Sequence, residues 1–219
     1  YAYYLEQVDH IDALPGYAQG SFFMQDIGSM QVVELAGIKP GDAVIDVCAA
    51  PGGKAMHALA KLHGKGSVQA RDLTENKVSM IEENIERCAG AADAIEVLVR
   101  DARILDPQAV EKADVVIADL PCSGLGVIGR KSDIKYRMTP EQVADIAALQ
   151  REILSVVWQY VKPGGILMYS TCTLTKAENQ DNRDWFLENS PFTLLEEKEL
   201  LPSAEIDGFY MIKCRRNKA

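Results

Sequence analysis

The chain has 219 residues, of which 47% are hydrophobic and 25% charged, with a formal net charge of −9. It is long enough to bury one sizeable core and reads as one soluble globular domain with an attached segment. No run of about 18 apolar residues and no signal peptide occurs, which argues against a membrane span and against secretion, and the acidic balance excludes bulk electrostatic attraction to nucleic acid.

Any nucleic-acid contact is therefore local or supplied by a further segment. The chain begins Tyr-Ala-Tyr-Tyr without a methionine, so a piece of a longer protein is expected. Its five cysteines, Cys48, Cys88, Cys122, Cys172 and Cys214, are an odd count without a C-x-x-C, and only three histidines accompany them. That composition argues against a disulfide framework or a metal site and for a reducing cytoplasm.

Residues 1–20 carry turn signals at Leu14-Pro15-Gly16 and Gln19-Gly20 and no clear period, as in an irregular lead-in or linker. From Asp26 to Ala36 apolar residues recur at Ile27, Met30, Val33 and Leu35, which predicts a helix covering one end of the core. Val44–Lys54 then reads as a buried parallel strand ending in Asp46, a small-residue loop and a helix start. Gly52 and Gly53 let backbone approach a ligand, and the helix from about Lys54 aims free N–H groups at the same place. The adjacent glycines fit neither the dinucleotide fingerprint nor the phosphate-binding loop.

A helix over Ala55–Leu62 leads to a strand at Ser67–Ala70 ending at Asp72. An amphipathic helix over Thr74–Cys88 leads to a strand at Ile95–Val99 ending at Asp101. The alternation predicts parallel pairing with right-handed crossovers, an α/β sheet with acids at its strand ends. Asp114–Ala118 is a fourth strand running into Asp119-Leu120-Pro121-Cys122-Ser123-Gly124, followed by a loop, Gly124–Arg137, rich in glycine and base. Thr139, Pro140 and Gln142 have the spacing of a capping box with proline first, so a helix is expected to run to about Val161. Lys162-Pro163-Gly164-Gly165 predicts a turn into a fifth strand, Ile166–Tyr169, which ends in Ser170-Thr171-Cys172-Thr173. Thr175 and Glu178 repeat the capping-box spacing before a helix to about Glu188, and Phe192–Leu195 and Phe209–Ile212 supply two final strands.

In an open parallel sheet the ligand site lies at the carboxyl ends of the strands. Those ends carry Asp46, Asp72, Asp101, Asp119 with Cys122, and Cys172. Acids after the second and third strands suit a nucleoside, one carboxylate accepting the ribose hydroxyls and another the adenine amine. S-adenosylmethionine fits better than a nucleotide, because acids stand where phosphates would sit. Taken singly, Asp72 and Asp101 read equally well as turn or helix-start caps. Cys88 and Cys214 read as small buried apolar residues, whereas Cys122 and Cys172 fall in loops at the crevice, where a reactive thiol belongs.

At Asp46–Lys54, Asp119–Gly124 and Ser170–Thr173 the chain resembles the Sun/RsmB-type RNA (cytosine-5) methyltransferases, a family that includes bacterial 16S ribosomal RNA enzymes. The similarity covers about residues 19–214, with Gln25-Asp26 and Arg130-Lys131-Ser132-Asp133. It implies a seven-stranded, Rossmann-like, S-adenosylmethionine-dependent methyltransferase fold, mostly parallel with an antiparallel last strand. Residues 1–37 would be lead-in and covering helix and 38–219 the catalytic domain. The resemblance makes Cys172 the nucleophile, gives Cys122 a part in releasing the product and sets Asp119 at the cytosine edge. The cofactor would lie among Cys48, Ala49, Ala50, Pro51, Gly52, Gly53, Lys54, Asp72, Lys77, Asp101 and Asp119. The partner implied is RNA, 16S ribosomal RNA or a small-subunit precursor, bound by a monomer that a helical RNA-binding domain precedes.

A free thiol has a pKa of about 8.5, so Cys172 needs a neighbouring cation, and Lys54 and Arg130 are the candidates. Arg130, Lys131, Lys135 and Arg137 make an ordinary solvated loop or, beside a base pocket, a set of phosphate contacts, and Tyr136 either stacks on a base or packs inward. The chain has Ala55, Ser132 and Tyr136 where the family often has a hydroxyl residue, proline and tryptophan; these departures bear on substrate choice more than on the reaction. Two rival readings remain: a DNA cytosine-5 methyltransferase, which would promote Cys122 to nucleophile, and a non-catalytic ribosome-assembly scaffold.

Overall fold

The computed structural model describes residues 2–6, 8–88 and 95–218; within the expected lead-in, Tyr1 and Gln7 lie outside the described residues. Seven strands form one sheet: β1 Ala43–Asp46, β2 Ser67–Asp72, β3 Ile95–Val99, β4 Ala113–Asp119, β5 Val161–Thr171, β6 Phe192–Leu200 and β7 Phe209–Arg216. Their order is β3-β2-β1-β4-β5-β7-β6. The first five pair in parallel, and β7 lies antiparallel between β5 and β6. Strand order reverses between β1 and β4, which places the ligand-binding crevice of such a sheet at the ends of those two strands.

The central strands are apolar on both faces because both are covered. On one face Val44, Val115 and Ile117 pack beneath three helices, α1 Ile27–Ala36, α2 Gly53–Leu62 and α3 Glu75–Cys88, through Val33, Leu62 and Ile81. On the other, Ile45, Val116 and Ala118 pack with α5 Pro140–Val157 and α6 Gln180–Asn189 through Leu154 and Phe186. A single-turn helix, α4 Ile134–Arg137, interrupts the basic loop between β4 and α5. No described helix is long and apolar enough to cross a membrane.

The capping box at Thr139 forms with both of its bonds. Its helix ends at Val157, where a 3-10 turn, Trp158–Tyr160, takes over. The Lys162-Pro163-Gly164-Gly165 stretch is not a turn before the strand but lies within β5, as an irregularity where the register with β4 shifts between Ala113 and Val115. Gly164 takes a left-handed φ of 85° there, which lets the strand continue past the kink. The lead-in is docked: Arg87 of α3 donates to the carbonyls of Tyr17 and Phe22 and stacks on the Tyr17 ring at 4.1 Å.

Candidate active site

The loop after β1 is pinned from both sides, the Val47 N–H donating to Ile117 of β4 and the Ala49 N–H to Arg71 of β2. Gly52 supplies the φ of +107° that turns the chain into α2, and a side chain there would begin 3.3 Å from Ile81. Asp72 also holds this loop: its carboxylate accepts from the Ala50 amide at 3.0 Å and the Leu73 amide at 2.7 Å, and pairs with Lys77 at 2.9 Å. Asp101 accepts two guanidinium bonds from Arg103, whose contact holds its carboxyl below the ordinary range. Cys48, Asp72, Lys77 and Asp101 line one cavity with Val47 and Ile153. The Cys48 thiol is pushed up by burial and by the Asp72 carboxylate, so it is a wall of the cavity and no nucleophile.

Beneath the loop Asp46 is fully buried, and neither carboxylate oxygen has a well-formed hydrogen bond among the described residues, the Cys48 amide favouring its charge only from a looser contact. Burial raises its pKa to about 7, against the pull of the Lys54 ammonium. Lys54, 15% exposed, forms an ion pair with Asp119, 21% exposed. Burial works against the Lys54 charge, but Asp119 and Asp46 outweigh it and hold the ammonium protonated. The second Asp119 oxygen accepts from Ser170 of β5 at 2.7 Å, which fixes the carboxylate between two strand ends.

The two loop thiols meet. Cys122 and Cys172 stand with their sulfurs 3.1 Å apart, both half-buried. The contact with Cys122 holds the Cys172 thiol below its ordinary value, with help from Lys54 and against burial and Asp119. The same contact, with burial, pushes Cys122 far up. The two thiols titrate as a pair, and Lys54 favours the charge on the Cys172 side of it. Of the two cations expected to assist Cys172, only Lys54 does so. The Arg130 guanidinium instead pairs with Asp26 and Asp207, each at 3.3 Å, and ties the basic loop to the α1 cap and the β6–β7 connection.

Behind the thiols stands Glu178, whose spacing from Thr175 predicts a helix cap. Thr175 does donate to it at 2.7 Å, but α6 begins only at Gln180, and Glu178 is fully buried. Its carboxylate accepts from the Ser123 amide at 2.8 Å, the Ser123 hydroxyl and the Gln150 side chain at 3.1 Å. Its carbonyl accepts from the Tyr169 hydroxyl. The residue after Cys122 is thereby fastened to the segment after Cys172. Gly126 closes the same joint: its N–H donates to the Cys172 carbonyl, and a side chain there would begin 2.2 Å from the Gly208 carbonyl oxygen. Neither residue is legible in sequence as part of the site, since a glycine and an S/T-x-x-E spacing recur in most turns.

The other basic-loop residues are exposed. Lys131 is at the surface, Lys135 lies 4.9 Å from the ring of Tyr136, which is 81% exposed, and Arg137 pairs loosely with Asp133. Tyr136 therefore faces solvent and does not pack inward.

The sequence model of a family described as 16S rRNA methyltransferase RsmB/F matches residues 33–213. The ribosomal RNA small subunit methyltransferase B of Vibrio cholerae is 37% identical over 217 residues, 94% of this chain and 49% of that protein. The crystal structure of NSun6 from Pyrococcus horikoshii with SFG is 28% identical at a TM-score of 0.88, over 97% of this chain and 57% of that one. A methyltransferase homolog protein from the same organism is 27% identical at a TM-score of 0.82, over 94% and 72% of the two chains. The chain spans about half the length of the curated relatives it matches.

Proposed function

The chain belongs to the 16S rRNA methyltransferase RsmB/F family, and from that premise we propose that it methylates carbon 5 of a cytosine in RNA, with 16S ribosomal RNA as substrate, in the reducing cytoplasm. The donor is S-adenosylmethionine and the route is a covalent bond between Cys172 and carbon 6 of the base. The observation that carries this reading is the thiol pair, Cys122 and Cys172 at 3.1 Å with Cys172 depressed. A structural cysteine has no need of a second thiol and an ammonium beside it.

Carbon 5 of cytosine is a weak nucleophile. The Cys172 thiolate adds to carbon 6 and moves electron density onto carbon 5. The negative charge that this addition places on ring nitrogen 3 is taken up by a proton delivered there, and Asp119, held by Lys54 and Ser170, is the group that the family resemblance sets at that edge of the base. After methyl transfer a base takes the carbon 5 proton, the carbon 5–carbon 6 double bond re-forms and the Cys172 sulfur leaves as thiolate, with Cys122, 3.1 Å away, beside it in the release role the family resemblance gives it.

The residues present fit the donor. Cys48, Asp72, Lys77 and Asp101 line a cavity for its adenosine, and Asp46 is a buried carboxylate under the loop without a well-formed hydrogen bond, matched to a cationic ligand. When bound, S-adenosylmethionine supplies an electrophilic methyl group. The target nucleotide must leave its stack to reach Cys172, at a cost of a few kcal/mol if it is paired.

Incubation with isotope-labelled S-adenosylmethionine and unmodified 16S ribosomal RNA, followed by nucleoside analysis, tests the reading. Label in 5-methylcytidine, lost in Cys172→Ala, is the expected result. Donor binding without transfer would make the protein a scaffold, and transfer that survives Cys172→Ala but not Cys122→Ala would move the nucleophile to Cys122.

A further inference from the structure

At the opposite edge of the sheet from the thiols lies a second cavity, lined by Lys39, Lys162, Lys213, Arg215 and Lys218 with only Asp42 and Asp114 as acids. The chain as a whole carries 23 Lys and Arg against 32 Asp and Glu, so five cations against two acids in one concavity is a local reversal of its charge. The acids are committed. Asp42 accepts from the Lys39 amide and pairs with the Lys39 ammonium at 3.3 Å. Asp114 accepts from the Ala43 amide at 2.9 Å and pairs with Lys162 at 2.8 Å, which hold its carboxyl below the ordinary range despite burial.

Lys213, Arg215 and Lys218 have no ion pair among the described residues and leave the excess charge unneutralised. Lys213 and Arg215 are two apart on β7, hence on one face of the sheet. Lys218 crosses beside Gly164, where a side chain would begin 3.0 Å from its Cε and crowd it out. Like charges gathered in a concave, solvent-open site raise the local potential and attract a polyanion.

We propose that this cavity binds backbone phosphates of the RNA substrate, as a second contact remote from the reacting base. The proposal rests on the RNA-methyltransferase reading above and deepens it. The cavity gathers at the amino ends of β1, β4 and β5, whereas Cys122 and Cys172 follow the carboxyl ends of β4 and β5. The seven residues of β4 alone separate the two edges by about 20 Å. An RNA whose reacting base lies at Cys172 reaches this cavity only through nucleotides well removed from that base, so the contact adds affinity for a substrate that extends beyond its target nucleotide. Phosphate contacts of this kind set register and affinity and carry no base preference.

The test compares the wild-type chain with the triple variant Lys213→Gln, Arg215→Gln, Lys218→Gln in binding to unmodified 16S ribosomal RNA across a salt series. The variant is expected to bind 16S RNA at least about tenfold more weakly at low salt, with a log–log salt slope smaller by about 2. S-adenosylmethionine affinity should not change. Equal affinity and slope for the two proteins on 16S RNA would overturn the proposal, as would a wild-type chain that does not bind 16S RNA. Wild-type binding of 16S RNA without methyl transfer, again weakened in the variant, would leave the site standing and remove the enzymatic reading.

Discussion

The half of the crevice built on β4 and β5 and the half built on β1 differ in how their buried polar atoms are satisfied. Around the thiols each one has a partner within the chain: Glu178 holds Ser123, Gln150 and Thr175, and Asn179 holds Thr171 and Thr173. Under the cradle loop Asp46 has no well-formed hydrogen bond. A satisfied network is rigid before substrate arrives, which suits a step that depends on two sulfurs meeting at 3.1 Å. An unsatisfied buried carboxylate costs stability until a cation compensates it, which suits a site that must take up and release a charged donor.

Breaking the satisfied half should have the largest effect. Glu178→Ala strands the Ser123 amide in the interior and leaves the Ser123 hydroxyl only Thr173 and the Gln150 amide only the Pro121 carbonyl, and is expected to cost about 3 kcal/mol in urea denaturation. Glu178→Gln keeps a carbonyl acceptor and should cost clearly less while slowing methyl transfer, because the loops that carry the thiols are then held less firmly. If both variants match wild type in stability and rate, Glu178 does not set the site.

In the unsatisfied half, relieving the mismatch should stabilise. The Asp46 carboxyl ionises at about 7 in the folded chain, against an ordinary value of 3.8. The folded state therefore keeps a proton that the unfolded chain has lost between those values. The contribution to stability is full below about pH 4 and falls as pH rises to about 7. Asp46→Asn, neutral throughout, should gain on wild type by about 2 kcal/mol between pH 5 and pH 7.5. An unchanged difference between the two proteins over that range would show that Asp46 is compensated within the chain. The smallest effect is electrostatic: Cys122→Ala removes the contact that favours the Cys172 thiolate, so iodoacetamide should alkylate Cys172 on the order of tenfold more slowly at pH 7.

The same contrast explains what was legible in sequence. Strand ends are local features, and Asp46, Asp72, Asp101, Asp119 and the seven strands emerge from apolar runs stopped by acids and glycines. The thiols stood out because each follows such an end. Glu178 did not, since its spacing from Thr175 reads as a helix cap. Its burial is decided by Ser123, 55 residues away in sequence. Arg130 reads as a free cation until Asp26 and Asp207 arrive from other parts of the fold. Pro163-Gly164-Gly165 reads as a turn, yet β4 pairs on both sides of it, at Val161 and from Ile166, and so carries β5 through it. Tertiary partners, invisible in a local window, overrode the local signal in each case.

The most direct measurement is intact-mass analysis of the wild-type, Cys122→Ala and Cys172→Ala chains after incubation with S-adenosylmethionine and unmodified 16S ribosomal RNA. The account predicts a covalent protein–RNA adduct that accumulates in Cys122→Ala, turns over in wild type and never forms in Cys172→Ala. An adduct formed by Cys172→Ala, and missing from Cys122→Ala, would contradict it.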